Sequence, residues 1–308
     1  MSHVATLICN PQTPMLDEDL VGRALQLLPG AERPIWLAPG LAADIAFRPT
    51  TEGGVHRARE LLREAFAGVP IDVIVQPSAA RRKKLLVADM DSTVIAEECV
   101  DELADFLGIK DHVAKITARA MRGEIAFVPA LRERVALLAG LSVDVIEKVL
   151  ARITFTPGAE ILVRTMRAHG AYTALVSGGF TLFTIPLAAR LGFDASEANV
   201  LCVKNGRLTG AIEEPVRGGE AKRATLVGLR SKLGLMPVET LAVGDGANDV
   251  SMLAEAGLGV AFRAKPAVAA QAHARIDHAD LTALLYVQGY RREHFWQPTS
   301  PRASSRSP

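Results

Sequence analysis

Apolar and polar positions alternate along this chain with two periods, and the order in which the periods occur divides it into two units. "VATLIC" (4–9) has the composition of a strand. "LDEDLVGRALQLL" (16–28) places Leu20, Val21, Ala24, Leu25, Leu27 and Leu28 on one helical face, with Asp17 as N-cap. "RPIWLA" and "ADIAF" are short strands parted by Pro39-Gly40. "VHRARELLREAF" (55–66) repeats the amphipathic pattern through Val55, Ala58, Leu61, Leu62, Ala65 and Phe66, and "IDVIV" (71–75) is a further strand. Strand, helix, strand, strand, helix, strand is the split βαβ order, so residues 1–80 are expected to form a small α+β, ferredoxin-like domain.

From Leu85 onward the pattern changes. "LLVAD", "YTALVSGG" (172–179), "TLAVGDG" (240–246) and "LGVAF" (258–262) are apolar runs of buried-strand length, separated by helical patterns such as 158–169, 180–191 and 219–233. Strands alternating with helices predict an α/β fold, a Rossmann-like doubly wound parallel sheet, with its ligand at the carboxyl ends of the strands. Asp89, Ser177 and Asp245 all stand at such ends. Between the first two strands, about residues 97–153 read wholly as helix, too long for a simple crossover; an inserted helical cap is expected there. "NVLCVKNGRLTGAI" (199–212) alternates around Asn205-Gly206, a type I′ hairpin signal. The second unit is taken as 85–290, and 291–308, rich in Pro, Ser and Arg, as a disordered tail.

Composition narrows the partners. A net charge of +1 over 308 residues gives no global reason to expect nucleic acid or a membrane surface. "RRKK" (81–84) reads as a solvated linker, with an anionic partner as the alternative. Three scattered cysteines have no metal-ligand or redox spacing. With no leader pattern and no apolar run of membrane length, the expected compartment is the cytoplasm. A homodimer is left open.

The chemistry is concentrated in "VADMDSTVIAEE" (87–98), where a hydrophobic strand ends in two aspartates one residue apart. A turn that bonds its own amides would account for the pair alone. "GDGAND" (244–249), however, puts two more aspartates at another strand end, and "GGEAK" (218–222) brings Lys222 into the first turn of a helix. Four carboxylates near one point need a cation, and hard oxygen ligands suit Mg²⁺. Lysine and metal together could hold a phosphate. One carboxylate could then attack phosphorus while the other moves protons. "VGDGAND" lacks the dinucleotide fingerprint and the closing Glu of a calcium loop, and Ser177 lacks the Gly two residues before it that a nucleophile elbow requires.

Taken together, "DMDST" (89–93), "SGG" (177–179), Lys222 and "GDGAND" resemble, in order and separation, the haloacid dehalogenase (HAD) superfamily of phosphatases. Over residues 85–290 the chain is similar to the phosphoserine phosphatase family within it: Glu98 closes the first motif, and "AMRGEIAF" (120–127) and "LRERV" (131–135) match cap segments. Residues 1–80 are similar in layout to an ACT-like regulatory domain. The resemblance implies Mg²⁺-dependent hydrolysis of a small phosphomonoester, phosphoserine, through an aspartyl phosphate, in the last step of L-serine biosynthesis. It implies Asp89 as nucleophile and Asp91 as acid/base. It implies metal ligation by Asp89, Asp245 and the backbone carbonyl of Asp91, with Asp249 in support. Ser177, Gly178, Lys222 and Asn248 would contact the phosphoryl group or the substrate, Glu98 its ammonium and Arg134 its carboxylate, while Met121 and Phe127 would shield the pocket. Two alternatives stand beside this: a phosphotransferase to another alcohol such as homoserine, and an amino-acid-binding regulator with a vestigial site.

Overall fold

The computed structural model describes residues 2–49, 51 and 53–297. The first domain runs β1 (His3–Cys9), α1 (Glu18–Leu27), β2 (Ile35–Ala38), β3 (Ala42–Phe47), α2 (Gly54–Ala65), β4 (Ile71–Pro77). Its sheet has the order β2-β3-β1-β4 with every neighbour antiparallel, which is the split βαβ arrangement. Asp17 caps α1 as its position predicts, accepting from Leu20 N at 2.9 Å. Val21 and Ala24 of α1, with Ala58 and Leu62 of α2, fill one core with Leu7, Ile45 and Ile74 of the sheet.

The second domain is built on β5 (Leu85–Ala88), β6 (Tyr172–Phe180) and β7 (Ala195–Asn199), the hairpin β8 (Leu201–Lys204) and β9 (Arg207–Ile212), then β10 (Thr240–Gly244), β11 (Leu258–Phe262) and β12 (Ala274–Ile276). The main sheet, β12-β11-β10-β5-β6-β7, is parallel throughout. Its strands alternate inward on both faces. Leu85, Val87, Ala174 and Ala242 pack with Leu226, Met252 and Leu253, while Leu86, Ala88, Leu175 and Val243 belong to the larger core on the other side. The chain moves outward from β5 through β6 to β7 and then returns to β10 on the opposite flank of β5. The sheet therefore reverses direction between β5 and β10, where a crevice opens at the carboxyl ends. Those two strands deliver Asp89 and Asp245 side by side.

The insertion after β5 is a helical cap of α3 (Cys99–Asp105), α4 (Lys110–Met121), α5 (Phe127–Ala136) and α6 (Val145–Leu150). The β8–β9 turn places Asn205 at φ 52° and Gly206 at φ 71°, as a type I′ turn requires. The hairpin braces the cap: Gly140 N donates to Leu208 O, Leu208 N to Leu141 O and Val143 N to Gly206 O.

The basic run at 81–84 is not a solvated linker. Arg81 forms an ion pair with Asp44 at 2.7 Å and donates to Thr6 Oγ1 and to the carbonyl of Val287. Lys83 is buried and donates to the carbonyls of Ala80 and Val238. The Arg82 guanidinium lies 4.0 Å from the centroid of the Tyr290 ring, and Lys84 pairs with Glu239 at 2.7 Å. Each cation is taken up by a group distant in sequence. Asp72 and Gln76 of β4 add bonds to the backbone of Ala279 and Val287, so the two domains share a stitched joint.

Within 291–297, assigned above to the tail, Phe295 and Trp296 pack on the second domain. Phe295 is buried against Tyr286, with ring centroids 5.0 Å apart, and Trp296 N donates to Thr165 Oγ1. The rest of the expected tail, 298–308, lies outside the described residues. Among the described residues no helix is long and apolar enough to cross a membrane.

Candidate active site

Asp89 follows β5 directly, and the chain then turns sharply through Met90–Val94, with Ser92 in the left-handed region at φ 56°. The turn lets Thr93 reach Asp245, to which its hydroxyl donates at 3.2 Å. Asp245 follows β10, and Asp249 folds back so that one of its carboxylate oxygens accepts from Gly246 N. One oxygen from each of Asp89, Asp245 and Asp249 lies within 4.8 Å of the others. Lys222 Nζ sits 2.6 Å from Asp89 Oδ1 and 2.7 Å from Asp249 Oδ1. Its helix comes this close because residue 219 is glycine; a Cβ there would press on the Asn248 carbonyl.

Electrostatically the cluster is overcharged. Burial, then Asp249 and Asp245, push the Asp89 carboxyl well above the usual carboxylate range. Burial and Asp249 push Asp245 up to about 6. Burial alone would discharge Lys222, but Asp249 and Asp89 outweigh it and raise the ammonium. Lys265, 3.5 Å from Asp245, supplies a second and more exposed cation. Three buried carboxylates against one buried ammonium leave negative charge that a hard divalent cation would neutralise, so the donor set fits a metal ion.

Asp91 stands apart from that cluster. Its carboxylate accepts from Cys99 N and Ser177 Oγ, both at 2.9 Å, and its side chain is not among the cluster's ligand groups. Ser177 in turn accepts from Gly179 N at 2.7 Å, which ties the end of β6 to the first motif.

Above these groups the cap closes a pocket of ≈ 20 Å³. Of the residues singled out in the sequence, Asp89, Asp91, Glu98, Met121, Phe127, Arg134, Gly178 and Asn248 line it, joined by Val100, Leu131, Gly179 and Phe180. The Phe127 ring lies on Gly178 so closely that any Cβ there would collide with it. Ser177, Lys222, Asp245 and Asp249 support the pocket from below. Glu98 accepts from Ser92 Oγ at 2.8 Å, and burial, then Asp91 and Asp245, push its carboxyl well up. Arg134 is 1% exposed; its Nη2 is buried with no hydrogen-bond partner, and so is Asn248 Oδ1. Glu97 faces away, its carboxylate accepting from Thr154 N.

Sequence reasoning passed over Thr93, Ser92 and Lys265. Thr93 and Ser92 lie inside the quoted first motif, where any hydroxyl is a candidate ligand-holder. Lys265 follows β11 by three residues, so the strand-end rule applied to a fourth strand would have found it.

A crevice at the reversal point of a parallel sheet, lined by aspartates and roofed by a helical insertion, defines the class. The family model of haloacid dehalogenase-like hydrolases matches residues 86–254, and the chain belongs to that family. Its similarity is narrower still. It is 46% identical over 227 residues to a probable phosphoserine phosphatase of Schizosaccharomyces pombe, covering 73% of this chain and 76% of that one. It is 44% identical over 231 residues to a phosphoserine phosphatase of Archaeoglobus fulgidus, covering 74% and 67%. Among solved structures, a HAD family hydrolase from Salmonella enterica serovar Typhi matches with TM-score 0.81 at 31% identity, over 93% of this chain and 98% of that one, so it covers nearly all of both chains. A substrate-bound phosphoserine phosphatase complex matches with TM-score 0.64 at 41% identity, over 67% of this chain and 98% of that one.

Proposed function

We propose that this chain is a phosphoserine phosphatase that hydrolyses O-phospho-L-serine to L-serine and phosphate, the last step of L-serine biosynthesis. The observation that carries the substrate is Arg134 Nη2, a buried guanidinium nitrogen with no partner, in the same pocket as the half-buried carboxyl of Glu98. Buried polar groups are normally satisfied. A ligand bearing a carboxylate and an ammonium beside its phosphate would satisfy Arg134 and Glu98 together.

Asp89 attacks phosphorus, forming an Asp89–phosphorus bond as the serine oxygen–phosphorus bond breaks. Asp91, oriented by Cys99 N and Ser177 Oγ, gives its proton to the departing serine oxygen. It then takes a proton from the water that displaces Asp89 and releases phosphate. Lys222, Ser177, the Gly178 amide and Asn248 surround the phosphoryl oxygens and stabilise the charge that develops there. Asp89, Asp245, the backbone carbonyl of Asp91 and, in support, Asp249 would hold Mg²⁺, which supplies charge neutralisation at the phosphoryl group. The first domain is read as an ACT-like regulatory module, a reading supported by its strand order.

The test is phosphate release from O-phosphoserine, O-phosphoethanolamine and an aryl phosphate, with and without Mg²⁺. O-phosphoserine should lead in kcat/KM, and all release should need the metal. Equal rates on phosphoserine and phosphoethanolamine would overturn the substrate assignment. O-phosphohomoserine as the main product with added homoserine would favour the transferase reading.

A further inference from the structure

Three cap helices each contribute one buried polar side chain to a single line. Asp101 comes from α3, Thr117 from α4 and Arg134 from α5, and they are 8%, 3% and 1% exposed. Arg134 Nη1 donates to Thr117 Oγ1 at 2.9 Å, and Thr117 Oγ1 donates to Asp101 Oδ1 at 2.7 Å. A guanidinium only donates and an ionised carboxylate only accepts, so the one Thr117 proton serves Asp101, the shorter contact, with the Val113 carbonyl of its own helix a longer second acceptor at 3.2 Å. Arg134 has a second anchor, Nε donating to Ala130 O one turn back in its own helix at 3.1 Å. With Nε and Nη1 both held, the guanidinium plane is fixed, and Nη2 is left as the nitrogen without a partner. Neither Thr117 nor Asp101 lines the pocket.

Building on the phosphoserine reading above, we propose that Thr117 and Asp101 are positioning residues for substrate choice, a relay that aims Arg134 Nη2 at the substrate carboxylate. The hydroxyl between the two charges is the working part. A carboxylate placed directly against Arg134 would form the bidentate pair that guanidinium favours, and both outer nitrogens would be consumed. Interposing Thr117 lets Asp101 stabilise the buried cation through one hydrogen bond while Nη2 stays open. The burial that lowers the Arg134 guanidinium from its ordinary value is opposed by Glu98 and then by Asp101.

The experiment compares O-phosphoserine with two substrates that lack a carboxylate, O-phosphoethanolamine and an aryl phosphate. Thr117→Val keeps the shape and removes the hydroxyl. It should lower kcat/KM on phosphoserine about 10- to 100-fold, mainly through KM, the scale expected for misplacing a binding group by about 1 Å. The two carboxylate-free substrates should be unchanged, and Thr117→Ser should restore phosphoserine turnover. Asp101→Asn keeps an acceptor but not the charge and should give a smaller loss with the same selectivity, which keeps the test available if the valine variant fails to fold. Equal losses on all three substrates would overturn the relay and leave Thr117 as cement between cap helices. No loss on any would show that Arg134 is placed without it. Wild-type enzyme that treats phosphoserine and phosphoethanolamine alike would instead defeat the substrate reading, independently of the variants.

Discussion

Replacing Asp72 with alanine would remove a heavily bonded side chain of the joint between the domains. Asp72 lies on β4, 4% exposed, and its carboxylate accepts from Asp277 N at 2.8 Å, His278 N at 3.2 Å and Ala279 N at 2.8 Å. Bonds to a charged acceptor contribute about 1.5–3 kcal/mol each, and the two short ones carry most of the effect. Against this stands the cost of burying the charge, which raises the Asp72 carboxyl above its ordinary value despite the three amides that lower it. The amides of Asp277 and His278 can turn to water in the variant, whereas the buried Ala279 amide cannot. The net loss is therefore expected at about 2–4 kcal/mol. The chain carries two tryptophans, Trp36 on β2 of the first domain and Trp296 packed on the second. Trp36→Phe and Trp296→Phe backgrounds leave one fluorescent reporter per domain. With a urea slope typical of a small domain, Asp72→Ala should move the Trp36 transition about 1–3 M lower and the Trp296 transition less. An unmoved Trp36 midpoint would refute the reasoning, because the joint would then contribute nothing to the first domain.

Asp89→Asn should abolish phosphate release while leaving the urea midpoints close to wild type, since an amide is a poor nucleophile; release at a hundredth of the wild-type rate would count against covalent attack by Asp89. Arg134→Ala should cost ~2–5 kcal/mol on phosphoserine, the range for truncating one member of a buried, hydrogen-bonded charge pair, or roughly 30- to several-thousand-fold in kcat/KM. It should spare an aryl phosphate, and equal losses on both would assign Arg134 to cap folding instead. Burial, reinforced by Arg81, lowers Lys83 to about 8, below its unfolded value. The folded chain therefore binds fewer protons than the unfolded chain between about pH 8 and 10.5, and stability from this group rises with pH across that window. Between pH 7.5 and 9.5 the gain is about 2 kcal/mol. Lys83→Met should flatten the rise in urea midpoint, and an identical rise in that variant would show that other groups cause it.

How much was legible follows from where each residue sits. The four central strands announced themselves because both faces are buried, which forces continuous apolar runs on β5, β6, β10 and β11. The edge strands β7 and β12, "ASEAN" and "ARI", were missed because one flank of each meets no partner strand and their side chains are half-exposed. Asp89, Ser177 and Asp245 were found by topology alone: in a parallel sheet the strand ends converge whatever the loops do. The joint was invisible for the opposite reason. Four successive cations look solvated in one dimension, and nothing local to Arg81 or Lys83 points to Asp44 or the Val238 carbonyl. The packing of Phe295 on Tyr286 was masked in the same way by the polar composition of the segment that follows it.

The position of the pocket connects substrate choice to the cap. It is lined by Met121, Phe127, Leu131 and Arg134 of the cap and by Asp89, Gly178 and Asn248 at the strand ends, so the fit of a substrate depends on how the cap sits on the sheet. The contacts that seat it are mostly apolar and close-fitting, Phe127 on Gly178 and Met121 over Gly246. Burial lowers the Arg134 guanidinium and raises the Glu98 carboxyl, so burial disfavours the charged form of each. A zwitterion bound between them reverses that balance, because its carboxylate and ammonium supply what the pocket lacks. On the function proposed above, the same two residues would choose the substrate and favour the closed form. A ligand missing either charge fits less well, and it also leaves the cap with less reason to shut over Asp89.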